Sequence, residues 1–208
     1  MSRIGRIVLL AMLVTPWSSY AQAEPVQAEW VGALRNGGHV IVLRHGATYA
    51  DQADTDPLHP ENVAQQRQLN DKGRDLARSV GDAMRRLKIP VGEVHTSVLN
   101  RAIENGKLLG FGEVRPSLDF TEGGLVVSPI ENERRAQALR KLAATVPPTG
   151  TNVIIVTHKP NILDAFGKDW FEVREGEASV FKPDGAGYQP LVRVQADEWS
   201  RAAQANPN

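Results

Sequence analysis

Three observations predict a three-layer α/β/α fold built on a mostly parallel central sheet. Two short apolar runs, Val40-Ile41-Val42-Leu43 and Val153-Ile154-Ile155-Val156, are rich in β-branched residues and bounded by Gly or Pro. Such runs read as strands buried on both faces, the habit of parallel sheets. Segments with helical apolar spacing lie between them, and strands alternating with helices make a layered α/β domain. Each run also delivers a histidine where the strand should end: His45 before Gly46, and His158 before Lys159-Pro160. Ligands of open α/β sheets sit at the carboxyl ends of such strands.

Residues 1–23 read as a cleavable leader outside the fold. Arg3 and Arg6 form a basic start, Ile7 to Val14 is a short apolar core, and Ala21-Gln22-Ala23 offers small residues for cleavage after Ala23. The alternative is a frayed N-terminal helix. The apolar stretch is too short to span a bilayer. A leader of this kind implies a periplasmic or secreted protein with no membrane insertion once it is removed. The folded domain is expected over residues 24–196, with residues 197–208 a frayed tail.

Within the domain, Val26, Trp30 and Leu34 share one helical face, and Gly37-Gly38 ends that helix. The strand His39 to Arg44 follows. Residues 46–68 are polar and broken by Pro57 and Pro60; a loop this long beside a site is more often a binding element than filler. Asn70 or Asp71 caps a helix carrying Leu76, Val80, Met84 and Leu87. A short strand spans Glu93 to Thr96 and a helix Leu99 to Leu109. Pro116 to Pro129 reads as loop with room for one edge strand. Glu133 to Val146 is a further amphipathic helix, followed by the strand ending at His158 and a helix from Pro160 to Phe166. Ala178–Lys182 and Tyr188–Val194 form alternating runs joined through Asp184-Gly185, a hairpin pattern.

Composition narrows the partners. The 24 basic and 24 acidic residues of the 208 balance, which gives no support to broad nucleic-acid or membrane-surface binding. Any anion affinity has to be local. The absence of cysteine removes disulfides and a thiolate nucleophile. The sequence sets no oligomeric state.

An imidazole at a strand end can serve as metal ligand, base or nucleophile. His45 and His158 lack a further ligand at recognisable spacing, and Arg44 beside His45 would repel a cation. The same arginine favours a phosphate, because its planar fork donates two hydrogen bonds to two oxygens. Pro160 suits the first turn of a helix, which puts His158 at an N-terminus where backbone N–H groups favour an anion. No cofactor and no metal are expected. His39, His59 and His95 read as ordinary.

Leu43-Arg44-His45-Gly46 resembles the signature of the histidine phosphatase superfamily, which has the phosphoglycerate mutase-like and acid phosphatase fold. Leu69-Asn70-Asp71-Lys72-Gly73-Arg74 is similar to the family's L-T-x-x-G segment, and His95 to Ala102 to its S-S-P-L-x-R-A segment. Val156-Thr157-His158 resembles the strand bearing the second histidine. The resemblance implies a small phosphorylated substrate, His45 as phosphorylated nucleophile, and a phosphate pocket of Arg44, Arg101 and His158, with Thr48 as an additional hydroxyl donor.

The chain departs from the family at the acid that protonates the leaving group. Lys159 occupies the position where one branch has aspartate after the second histidine. Glu177, in Gly176-Glu177-Ala178, is the first candidate acid and Glu122 the second; a mechanism without a carboxyl acid is the third possibility. The expected function is an exported, metal-independent phosphomonoesterase acting through phosphohistidine. Alternatives are a non-catalytic phosphate-ligand or partner-binding member of the fold, and a phosphohistidine- or phytase-like phosphatase.

Overall fold

A computed structural model describes residues 27–123 and 128–206. The expected leader and its cleavage site lie outside them. In chain order the elements are α1 (Gln27–Arg35), β1 (Val40–Arg44), α2 (Asp71–Arg86), β2 (Val91–Ser97), α3 (Asn100–Leu109), β3 (Val114–Ser117), α4 (Pro129–Ala143), β4 (Asn152–Thr157), α5 (Lys159–Phe166), β5 (Ala178–Pro183), β6 (Tyr188–Val194) and α6 (Ala196–Ala205). No helix among the described residues is long and apolar enough to cross a membrane.

The six strands form one sheet in the order β3-β2-β4-β1-β5-β6. The pairs β3·β2, β2·β4 and β4·β1 are parallel, while β1·β5 and β5·β6 are antiparallel. The mostly parallel sheet and the terminal hairpin match the sequence expectation.

Alternation along the two central strands builds the layers. Ile41, Leu43, Ile154 and Val156 point to one face, where they meet Trp30 and Leu34 of α1, Val80 and Met84 of α2, and Trp199 of α6. Val40, Val42, Val153 and Ile155 point to the other, against Ala136 and Leu139 of α4 and Ile162 of α5. All six residues of β4 are buried. A strand with apolar residues on both pleats has nowhere to go but the middle of such a sandwich.

The edge strand β3 begins at Val114, ahead of the expected loop, and α4 ends at Ala143 rather than Val146; three further differences have a local cause. Strand β2 begins at Val91 rather than Glu93, because Val91 pairs with Asn152 across a bulge. Helix α4 starts at Pro129, where the Ser128 side chain caps it by accepting from the Glu131 amide. The expected frayed tail is helix α6. Its capping box joins Gln195 and Glu198, and Trp199 is fully buried edge-on to Trp30, ring centroids 4.9 Å apart. A large aromatic ring buried in the core anchors the terminal helix more firmly than its polar composition suggests.

Candidate active site

Three neighbouring parallel strands end together, and each hands over a polar residue. Arg44 closes β1 and pairs in register with Thr157 of β4, so His45 and His158 emerge on adjacent strands one position further on. Next to β4 lies β2, and Arg101 follows it in the first turn of α3. The imidazole centroids of His45 and His158 are 5.0 Å apart with planes inclined by 67°. His45, Arg101 and His158 are all buried.

The His45 ring is oriented by its own backbone. Its Nδ1 lies 2.8 Å from the Gly46 carbonyl. A carbonyl only accepts, so Nδ1 carries the proton and Nε2 presents its lone pair. The Gly46 amide donates to Asn105 Oδ1 at 2.8 Å, which ties this turn to the helix bearing Arg101. Asn105 stands four residues beyond Arg101, on the same side of α3.

Both imidazoles are held neutral. Burial is the largest cause of the depressed His45 pKa, with the neighbouring His158 next; the Gly46 hydrogen bond opposes them. Burial also dominates at His158, reinforced by the positive field of Arg101, Arg67 and Arg44.

Arg101 carries the densest ion pairing. Its Nη1 and Nη2 donate to Asp54 Oδ1 and Oδ2 at 2.9 and 3.0 Å, and Nη2 also donates to Glu122 Oε1. Glu122 Oε1 lies 3.4 Å from His158 Nδ1. The acid is placed by its neighbour Thr121, whose carbonyl accepts from Asn161 at 3.2 Å and whose hydroxyl accepts from the Val98 amide at 3.0 Å. Arg44 is steered from the other side, donating through Nη1 to the Val173 carbonyl at 2.8 Å and pairing with Glu175 at 3.6 Å.

Several buried polar atoms here have no hydrogen-bond partner among the described residues: Nε of Arg44, Nε of Arg101, and both ring nitrogens of His158. Buried donors are normally satisfied. Two guanidinium N–H groups and an imidazole without acceptors, beside a second imidazole with a free lone pair, suit a tetrahedral oxyanion. No group of three or more His, Cys, Asp or Glu side chains among the described residues is arranged to hold a metal ion.

Arg44, His45, Arg101 and His158 are thus brought together, and Glu122 joins them. Glu177 does not. Its carboxylate is fully buried and saturated: Oε1 accepts from Arg193 Nε at 2.5 Å, while Oε2 accepts from the Arg174 amide at 3.0 Å and Gln195 Nε2 at 2.6 Å. A carboxylate gripped by three such donors supports the fold and has no free edge to turn toward a substrate. The expectation that ranked Glu177 ahead of Glu122 is corrected on that geometry. Thr48 is fixed through its backbone, which pairs with Leu69 and accepts from Asn70 Nδ2 at 2.9 Å; its hydroxyl has no hydrogen bond to the cluster among the described residues.

Sequence reasoning missed Asp54 and Asn105. Asp54 sits in the long polar loop, where several carboxylates look alike until Arg101 selects one. Asn105 could have been found from its helical spacing to Arg101.

No protein-family model and no curated protein sequence matches the chain. Solved structures do. The protein histidine phosphatase SixA complexed with tungstate matches with a TM-score of 0.56 at 17% identity, covering 76% of this chain and 97% of its own. YhfR from Bacillus stearothermophilus matches at 0.55 and 16% identity, covering 74% of this chain and 95% of its own. The phosphoserine phosphatase of Entamoeba histolytica, a histidine-to-alanine mutant in complex with phosphoserine, matches at 0.53 and 15% identity, covering 77% of this chain and 98% of its own. Likeness at such low identity speaks for architecture. The chain has a phosphoglycerate mutase-like fold, the architecture it shares with these solved structures.

Proposed function

We propose that the protein is an exported phosphomonoesterase that works through a phosphohistidine on His45 and needs no metal. The observation that carries this reading is the convergence of unpartnered donors from Arg44, Arg101 and His158 beside an imidazole whose Nε2 lone pair is free. Two structural neighbours are complexes with tungstate and with phosphoserine; a tetrahedral oxyanion is the guest this cluster suits as well. Export rests on the leader pattern of residues 1–23.

In the first step His45 Nε2 attacks phosphorus, and the bond to the leaving oxygen breaks as the P–N bond forms. Arg44, Arg101 and His158 donate to the equatorial oxygens, where negative charge gathers. The monoanionic ester brings a proton, which Glu122 takes up as the phosphate oxygens replace its carboxylate on Arg101, and Glu122 passes that proton to the departing alkoxide. In the second step water attacks phosphorus, Glu122 takes a proton from it, and the P–N bond breaks to return the lone pair to Nε2. Phosphate then leaves.

The test is hydrolysis of p-nitrophenyl phosphate in the presence of EDTA, with acid quench and mass spectrometry of the protein. Turnover with a phosphate-sized mass increase mapped to His45, and loss of both in His45→Ala, is the expected result. Tungstate binding with no turnover would favour a non-catalytic phosphate-ligand protein. Activity that EDTA removes would overturn the metal-free mechanism.

A further inference from the structure

A cavity of about 260 Å³ lies beside the candidate acid. Its lining includes Asp54 and Glu122, the two carboxylates that grip Arg101. Its wall is apolar, made by Pro57, Leu58, Pro60, Leu99 and Leu118. Two of these are large aliphatic side chains left open to solvent, Leu58 at 72% and Leu118 at 55% exposure. Exposed leucines that rim a concave surface touching a reactive cluster mark a binding surface more often than chance.

The carboxylates lining this cavity are already paired, Asp54 and Glu122 with Arg101 and Glu131 with Arg134. What the wall adds for the body of a leaving group is hydrocarbon, and an apolar group meets it.

We infer that this cavity is the leaving-group subsite and that it selects phosphate monoesters of longer, apolar alcohols over compact ones. The inference rests on the phosphatase reading above and deepens it by naming the substrate class. Its occupant is argued from continuity: Glu122, the acid proposed for the leaving oxygen, also lines the cavity. The group attached to that oxygen therefore enters between Leu58 and Leu118.

The test uses straight-chain alkyl phosphates from ethyl to hexyl. They share leaving-group acidity, so differences in kcat/KM report binding of the chain and not chemistry. We expect kcat/KM to rise about two- to fourfold per added methylene. Glycerol phosphate and phosphoserine should fall below butyl phosphate. Leu58→Asn and Leu118→Asn change exposed positions, so the chain still folds, and each should cut the hexyl-to-ethyl ratio of kcat/KM at least twofold.

Equal rates along the series, or a preference for phosphoserine, overturn the subsite while leaving the phosphatase reading intact. The matching alkyl phosphonates, which cannot be hydrolysed, are titrated by calorimetry to separate the two ideas. Affinity rising with chain length without turnover of any ester removes the catalytic reading and keeps the cavity as an apolar binding site. Affinity independent of chain length removes the cavity's role whether or not esters turn over.

Discussion

Gly46 and Gly73 touch backbone to backbone: a Cβ on Gly46 would lie 2.7 Å from the Gly73 carbonyl oxygen. In the other direction, a Cβ on Gly73 would lie 2.1 Å from the carbonyl oxygen of Ala47. Main chain cannot swing aside as a side-chain tip can. The start of α2, capped by Asn70 through the Gly73 amide at 2.9 Å, is therefore pressed directly onto the turn that carries His45. Gly73→Ala should destabilise the fold by about 1–3 kcal/mol through overpacking, and displace the nucleophile as well. Urea unfolding gives the first effect. A fall in kcat beyond the loss of folded protein gives the second, and unchanged kcat would show that the turn adjusts independently of the helix.

Glu122 and Glu177 make opposite predictions when each is replaced by glutamine. Glu122→Gln removes a proton donor and should slow alkyl phosphates by about a hundredfold. The same variant should slow p-nitrophenyl phosphate far less, because its phenolate leaves without a proton. A uniform effect on both substrates would withdraw Glu122 from the acid role.

Glu177→Gln leaves the reaction's proton inventory alone and disturbs the buried group that holds Arg193, the Arg174 amide and Gln195. It should lower stability by about 2–3 kcal/mol, as when one partner of a buried ion pair is removed. The ratio of alkyl to aryl turnover should stay at the wild-type value. A change in that ratio with unaltered stability would reverse the assignment of the two acids.

The paired histidines set a pH dependence. Their folded-state pKa values lie well below the 6.5 of an ordinary imidazole. Below pH 6.5 the unfolded chain binds protons at these positions that the folded chain refuses, so stability falls as pH falls through that point. Above it the two imidazoles contribute no slope. His158→Asn should flatten the loss measured by thermal unfolding between pH 7 and 5.

Occupation of the pocket should alter this balance. A dianion beside His158 offsets the arginine field that disfavours its charged form, which raises its pKa and draws in a proton. Phosphate binding is thus expected to take up protons near neutral pH and to weaken as pH rises. Calorimetry in buffers of different ionisation enthalpy measures the uptake, and the same heat in every buffer would contradict it.

The central sheet was legible because Val40–Leu43 and Val153–Val156 have few other places to go: they are apolar on both pleats. The core of the site was legible for a related reason, since strand ends in a parallel sheet converge and the Arg-His-Gly turn sits at one of them. What the sequence concealed depended on long-range selection. Glu177 and Glu122 are both glutamates beside glycine, and only the packing shows one saturated by Arg193 and Gln195 and the other facing Arg101. Helix α6 was hidden because half its residues are polar and most of the rest are alanine, while the anchoring ring of Trp199 finds Trp30 from the opposite end of the chain.

Strand β4 lies between β1 and β2 in the sheet although it comes after both in the chain. A chain that stops before Asn152 therefore lacks the strand that joins the two arginine-bearing sides of the sheet, and lacks the second imidazole with it. On the proposed function an oxyanion meets its full set of donors only on the finished molecule, and is expected to stabilise it in proportion to the logarithm of its concentration. Retention on an immobilised phosphate analogue would consequently sort completed molecules from unfinished ones.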